Sequence, residues 1–113
     1  MLVLPEIDAL ERAAGRLELR FVVRPTHPCF EGHFPGVPVL PGVVQVGWAI
    51  EFARQHIAFS ARFRSLAGVK FMRVIQPNDV VSLSLTVGSD QRELAFEYRL
   101  DGEPCSSGRV LFH

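Results

Sequence analysis

One segment rich in proline and glycine constrains the fold of this 113-residue chain more than any other feature. Residues 25–42 contain five prolines and three glycines, so no regular helix or strand can run through them. The segment is nevertheless apolar, because it includes Phe30, Phe34 and Leu40. A long, stiff, apolar loop is unusual in a small domain and is typically functional. The sequence therefore predicts a site in this loop.

The loop leads directly into the only segment with the pattern of a long helix. Residues 43–59 read VVQVGWAIEFARQHIAF, in which Val43, Val46 and Ile50 recur at helical spacing. Apolar side chains occupy so much of this segment that we expect the helix to be buried.

The other elements are expected to be strands, apart from a short helix over residues 4–14. Alternating apolar and polar residues predict strands at 17–23, 61–72, 80–88, 94–100 and 105–112. This order predicts an α+β fold, in which residues 1–113 form a single domain with one helix in the concave face of an antiparallel meander. One helix and one face of a sheet make only a thin core. Such a core favours a dimer that extends the sheet or covers the helix.

Composition excludes several functions. Twelve basic and twelve acidic residues give no net charge, which argues against nucleic-acid binding. No apolar run reaches the ~18 residues that span a membrane, and the acidic first ten residues are not typical of a signal peptide. The two cysteines, Cys29 and Cys105, fit no zinc or disulfide pattern. We therefore expect a cytoplasmic protein that binds no metal and uses no cofactor.

The junction of loop and helix has the residues for chemistry at a carbonyl group. His33 precedes Gly42 by nine residues, and Pro41 and Gly42 open the helix. The first N–H groups of a helix are unpaired and carry partial positive charge. A histidine beside such donors in an apolar pocket suits proton abstraction next to a carbonyl.

The segment GHFPGVPVLPGVVQ, which contains His33 and Gly42, closely resembles the hotdog-fold (3R)-hydroxyacyl-acyl-carrier-protein dehydratases. The helix text VVQVGWAIEFA is most similar to the branch of aryl-polyene-type pigment pathways. The resemblance implies a sheet wrapped around one central helix. It also implies reversible dehydration of (3R)-hydroxyacyl thioesters to trans-2-enoyl thioesters in fatty-acid or polyene biosynthesis.

The resemblance also implies roles for individual residues. His33 would take the C2 proton, and the Gly42 N–H would bind the thioester carbonyl. The substrate-binding residues would be Phe34, Pro35, Gly36, Pro41, Val43 and Gly47.

One catalytic position departs from the family pattern. The family's helix carboxylate stands fourteen residues after the histidine, where this chain has Gly47. The next acidic residue is Glu51, one helical turn further on and displaced by about 6 Å. Glu51 is therefore the candidate third catalytic residue, with pairing to an arginine such as Arg54 as the alternative.

Two other functions remain open. The chain is alternatively a catalytically incomplete hotdog subunit, which binds acyl thioesters or pairs with a homologue that supplies the missing carboxylate. A hotdog thioesterase is the second alternative. The expected partners are an acyl carrier protein or coenzyme A thioester, and a second subunit in a homodimer or heterodimer. A cluster of basic residues after the helix is either an ordinary solvent-exposed face or a rim that would suit docking of an acidic carrier: Arg54, Arg62, Arg64, Lys70 and Arg73.

Overall fold

The computed structural model describes residues 3–30, 38–57 and 62–113. These residues form one antiparallel sheet with strands in the order β1-β2-β4-β5-β6-β3, and one long helix between β2 and β3. The elements are β1 (Ala9–Ala13), β2 (Arg16–Val22), a short 3-10 helix (Pro28–Phe30), α1 (Gly42–His56), β3 (Phe63–Phe71), β4 (Val80–Val87), β5 (Glu93–Leu100) and β6 (Glu103–Phe112). The predicted α+β class is confirmed.

The four central strands bury alternate residues against α1. In β2, Leu17, Leu19 and Phe21 are buried, and they pair with Leu85, Leu83 and Val81 of β4. The same alternation continues in β5 and β6, so one face of the sheet is apolar. The predicted strands at 80–88, 94–100 and 105–112 are therefore confirmed.

One side of α1 completes the core. Trp48, Ala49, Phe52 and Ala53 are buried on this side. The Trp48 ring lies edge-on to Phe21 with 5.7 Å between ring centroids. Such aromatic pairs contribute beyond their buried area.

Two predictions about the strands are wrong. The segment predicted as a helix at 4–14 contains β1, which pairs with β2 through a tight turn in which Gly15 has φ +67°. All five residues of β1 are exposed, so no buried face marks them as a strand. The last four strands also do not form a simple meander, because β3 pairs with β6 and lies at the far edge of the sheet.

The edge strand β3 is irregular and exposes apolar side chains. Its register with β6 shifts twice, and Gly68 at one shift has φ +57°. Phe63, Leu66 and Phe71 are exposed along it. Among the helices in the described ranges, none has both the length and the apolar character that crossing a membrane requires.

Candidate functional site

The structure describes one half of the predicted site. Pro41, Gly42, Val43, Gly47 and Glu51 belong to α1 or its first cap. The residues predicted on the preceding loop lie outside the described residues: His33, Phe34, Pro35 and Gly36.

The start of α1 presents unpaired backbone donors. Pro41 is extended, with φ −62° and ψ 144°, and no side chain caps the helix. The Pro41 carbonyl accepts the N–H groups of Val44 and Gln45, each at 3.1 Å. The N–H groups of Gly42 and Val43 donate to no acceptor within the described part of the chain. Two donors at the positive end of the helix are thus available to a carbonyl oxygen.

The ring of Phe71 lies against Gly42. A Cβ added to Gly42 would stand 2.6 Å from Cζ of Phe71 and 3.0 Å from Cε1. Glycine therefore lets the Phe71 ring pack directly against the helix start, and Gly42 has no unusual backbone conformation that would call for glycine. The Phe71 ring shapes the space in front of the free N–H groups.

Two apolar grooves meet at Gly42 and Phe71. The larger groove has a volume of about 510 Å³ and runs between α1 and β3. The second, of about 420 Å³, is bordered by Leu40, Gln45 and Arg73. An acyl chain on one side of a thioester and its carrier arm on the other would need two such spaces. The side chains and backbone that form the larger groove include Val43, Gly47, Ile50, Phe63 and Leu66.

Gly47 and Glu51 occupy different surroundings. Gly47 lines the larger groove, one turn beyond Val43. The Glu51 carboxylate is 39% exposed and lies 3.5 Å from the guanidinium of Arg54. That pairing is the alternative that the sequence left open for Glu51. An exposed pair at this distance contributes little stability.

The structure places Gln45 as well as Phe71 at the helix start, and the sequence singled out neither residue. Gln45 is only 3% exposed, although it is polar and lies beside the free N–H groups. Its amide bonds to the Leu40 carbonyl and to the Ser106 hydroxyl. A glutamine among Val43, Val44 and Val46 was the available signal, because a polar side chain in an apolar run needs a partner.

The other nucleophilic and titratable groups near the helix do not form a second centre. Burial raises the pKa of the Cys29 thiol to about 11, which disfavours the thiolate that a nucleophile needs. His27 Nδ1 accepts the Cys29 N–H at 3.0 Å, and its ring lies edge-on to Trp48. No group of three metal-ligating side chains occurs where the structure is described.

Comparison with solved structures defines the class of protein as a hotdog-fold domain. A chain of the dehydratase heterocomplex ApeI:P from Xenorhabdus doucetiae superposes with TM-score 0.89 and 31% identity, over 95% of this chain and 96% of that one. A protein from Erwinia carotovora subsp. atroseptica superposes with TM-score 0.80 and 29% identity, over 100% and 97% of the two chains. A zebra fish thioesterase superfamily member, 13% identical, shares the fold alone.

The sequence comparisons identify the family. The ApeI-like model of the ApeI dehydratases matches residues 9–109. A 3-hydroxyacyl-(acyl-carrier-protein) dehydratase FabZ from Thermomicrobium roseum is 33% identical, with 95% of this chain aligned to 76% of that protein. The chain therefore belongs to the ApeI-like dehydratases, and its enzyme class is that of the hydro-lyases.

Proposed function

We propose that this protein dehydrates (3R)-hydroxyacyl thioesters carried on an acyl carrier protein, giving trans-2-enoyl thioesters reversibly. The proposal is carried by the N–H groups of Gly42 and Val43, which have no acceptor among the described residues and belong to the start of a helix where two apolar grooves meet. In a member of a dehydratase family, this is a suitable place for a thioester carbonyl.

In the proposed reaction, an N–H group at the helix start stabilises negative charge and His33 transfers the proton. His33 removes the C2 proton while the Gly42 N–H stabilises the negative charge that develops on the thioester oxygen. The C3–O bond then breaks, a double bond forms between C2 and C3, and the hydroxyl group leaves as water after taking a proton from an acid. Phe34, Pro35, Gly36, Pro41, Val43 and Gly47 surround the substrate in this proposal.

Hydration of a trans-2-enoyl thioester on acyl carrier protein tests the reaction, because the conjugated absorbance disappears as water adds. We expect turnover by the wild type and none by His33→Ala. His56→Ala is the matched control, since His56 lies at the far end of α1 from Gly42. Equal turnover by the wild type and His33→Ala would refute the proposed role of His33.

The carrier is proposed to approach over the second groove, where Arg73 stands beside Gly42. Arg73 is paired with the exposed Glu103 at 3.7 Å, a long contact that leaves its charge accessible. Arg73→Glu is expected to raise KM for a carrier-bound substrate and to leave KM for a phosphate-free N-acetylcysteamine thioester unchanged. Equal effects on both substrates would argue against carrier docking at this groove.

A second candidate function is a subunit that needs a homologue to complete its active site. Gly47 supplies no carboxylate to the groove, Glu51 is paired with Arg54, and one similar solved structure is described as a dehydratase heterocomplex. In this proposal a homologous subunit covers the exposed side of α1 and contributes the acid. A homodimer is the arrangement expected if Glu51 itself serves as the acid.

Two variants separate these candidates. If Glu51 is the acid, Glu51→Gln lowers kcat by about 10²-fold, and Gly47→Glu brings no gain. If the acid is missing, Glu51→Gln changes little, and Gly47→Glu raises turnover of the chain alone. Gly47→Gln is the control, because glutamine is similar in size to glutamate but has no acidic proton to give to the leaving hydroxyl group. In both cases we place the reaction in the cytoplasm, in keeping with the free thiols of Cys29 and Cys105.

A further inference from the structure

The side chain of Gln45 connects the approach to α1 with the middle of the sheet. Its Nε2 donates to the Leu40 carbonyl at 3.0 Å, and its Oε1 accepts from the Ser106 hydroxyl of β6 at 2.6 Å. Both bonds are buried, and Gln45 and Ser106 are almost inaccessible to solvent. Hydrogen bonds in such surroundings hold their geometry well, because water does not compete for them.

Leu40 is thereby held through both of its backbone groups. Its carbonyl accepts from Gln45, and its N–H donates to the Ile75 carbonyl at 2.7 Å. The Leu40 side chain is also buried. Only Pro41, whose φ is fixed by its ring, separates this anchored residue from Gly42. The direction of the Gly42 N–H therefore depends on where Leu40 is held.

Stability alone does not account for an amide at this position. Methionine at position 45 together with alanine at position 106 would fill the space without the cost of removing two polar side chains from water. Buried polar contacts in some proteins serve to fix one arrangement of the chain, as a buried asparagine fixes the register of a coiled coil. At position 45 that arrangement is the junction between Leu40 and the helix start.

We propose that Gln45 is a positioning residue, which aims the Gly42 N–H at the thioester carbonyl by holding Leu40 against β6. The link to catalysis rests on the proposed function, whereas the effect on Gly42 does not. Gln45 itself touches no reacting atom. Its loss should therefore weaken stabilisation of the transition state more than binding of the substrate.

The first arm of the test needs no substrate. One-bond N–H residual dipolar couplings report the direction of the Gly42 and Val43 N–H vectors. In Gln45→Met we expect these two couplings to change, while those of Ala49 and Phe52 stay as in the wild type. Tyr98→Phe is the matched control. It removes a hydroxyl that donates to the backbone oxygen of Gln45 at 2.7 Å, and it keeps the hydrogen bonds of the Gln45 side-chain amide.

The second arm measures turnover of a trans-2-enoyl thioester. Gln45→Met is expected to lower kcat at least about tenfold with little change in KM, whereas Tyr98→Phe keeps kcat. Gln45→Glu provides the rescue, because burial raises the pKa of a carboxyl group, and the protonated acid can donate to Leu40 and accept from Ser106. Its activity should then fall at high pH, where the carboxylate loses that donor.

The two arms fail in different ways. Unchanged couplings at Gly42 and Val43 in a folded Gln45→Met protein would overturn the inference, whatever the activity. Changed couplings with an unchanged kcat would show that the direction of the Gly42 N–H, which Gln45 sets, does not affect catalysis. A wild type without dehydratase activity would contradict the proposed function, and the couplings would still decide whether Gln45 aims the Gly42 N–H.

Discussion

The two sides of α1 are both apolar, but residues 3–30, 38–57 and 62–113 cover only one of them fully. On the core side, Trp48 and Phe52 are buried against the sheet. On the groove side, Val43 is 80% exposed, and Gly47 and Ile50 line an open apolar groove with β3. Within the described residues, the helix thus has one side that the sheet buries and another side that remains largely open.

The residues on the groove side are suited to binding rather than to packing. Four exposed apolar side chains border the same groove, and contiguous apolar surface of this kind is typical of an interaction site: Val43, Phe63, Leu66 and Phe71. The same region includes the unpaired N–H groups of the helix start and the glycine that Phe71 contacts. The core side makes the helix rigid, and the groove side presents its donors and apolar surface to a substrate or a second subunit.

The largest expected effect comes from the core side. Trp48→Ala removes a fully buried ring that contacts Phe21 and whose indole N–H donates to the Val3 carbonyl at 3.1 Å. We expect a loss of about 3–5 kcal/mol in the free energy of unfolding. Urea denaturation followed by circular dichroism gives the value. A loss below about 1 kcal/mol would show that the two sides of α1 do not differ as described.

A charge on the groove side should affect assembly more than folding. Val43→Glu places an acid in the first turn, where the helix dipole favours it, so the monomer keeps its secondary structure. The same carboxylate would lie in any interface that covers the groove, and association should weaken at least about tenfold. Analytical ultracentrifugation measures the change. Gln55→Glu, on an exposed part of the same helix, is the control; equal effects of both variants would contradict an interface at Val43.

Gly42→Ala tests the contact between the groove and the helix start. Gly42 is the first residue of α1, so helix propensity has little weight there, and the Phe71 ring that an added carbon would meet is 54% exposed and has room to move. We therefore expect little change in stability and a loss of turnover, because the displaced ring enters the groove. Gly42→Ala combined with Phe71→Leu should recover turnover. If the double variant is no better than Gly42→Ala, the Phe71 ring is not the obstacle.

The smallest effect on stability is expected from His56, the last residue of α1. Burial and the Arg12 guanidinium lower the pKa of His56, whose Nδ1 lies 3.0 Å from that group. The folded state therefore favours the neutral imidazole. The stability that this preference contributes is fully present above pH 6.5, the ordinary pKa of histidine. It is lost as the pH falls from there through the lowered pKa of the folded state. Thermal unfolding between pH 7.5 and 5.5 should show a steeper decline for wild type than for His56→Gln. Parallel declines would contradict this assignment.

The central strands and the helix were predictable because each buries one regular face. Alternation identified β2, β4, β5 and β6, and helical spacing identified α1. The position of β3 was not predictable, because local alternation does not specify that its partner is β6. β1 was mistaken for a helix because none of its residues is buried, so its pattern matches no single periodicity.

The site was predictable only where a local motif specifies it. Pro41 and Gly42 were recognised from the loop pattern, and they form the cap and first residue of α1. The contact of Phe71 with Gly42 and the bond between Gln45 and Ser106 join residues far apart in sequence. Such contacts depend on tertiary packing, which the sequence pattern alone does not encode.

The most direct test of the central claim is the carbonyl stretching frequency of a ¹³C-labelled trans-2-enoyl thioester bound to the protein. In a Phe71→Leu background, which makes room for an added carbon beside Gly42, Gly42→Pro removes the N–H donor at a helix position that tolerates proline, and Gly42→Ala is the matched control that keeps this donor. We predict a lowered frequency in wild type and in the Gly42→Ala, Phe71→Leu double variant, and the frequency of the free thioester in the Gly42→Pro, Phe71→Leu double variant. The same lowered frequency in all three proteins would contradict binding of the carbonyl by the Gly42 N–H.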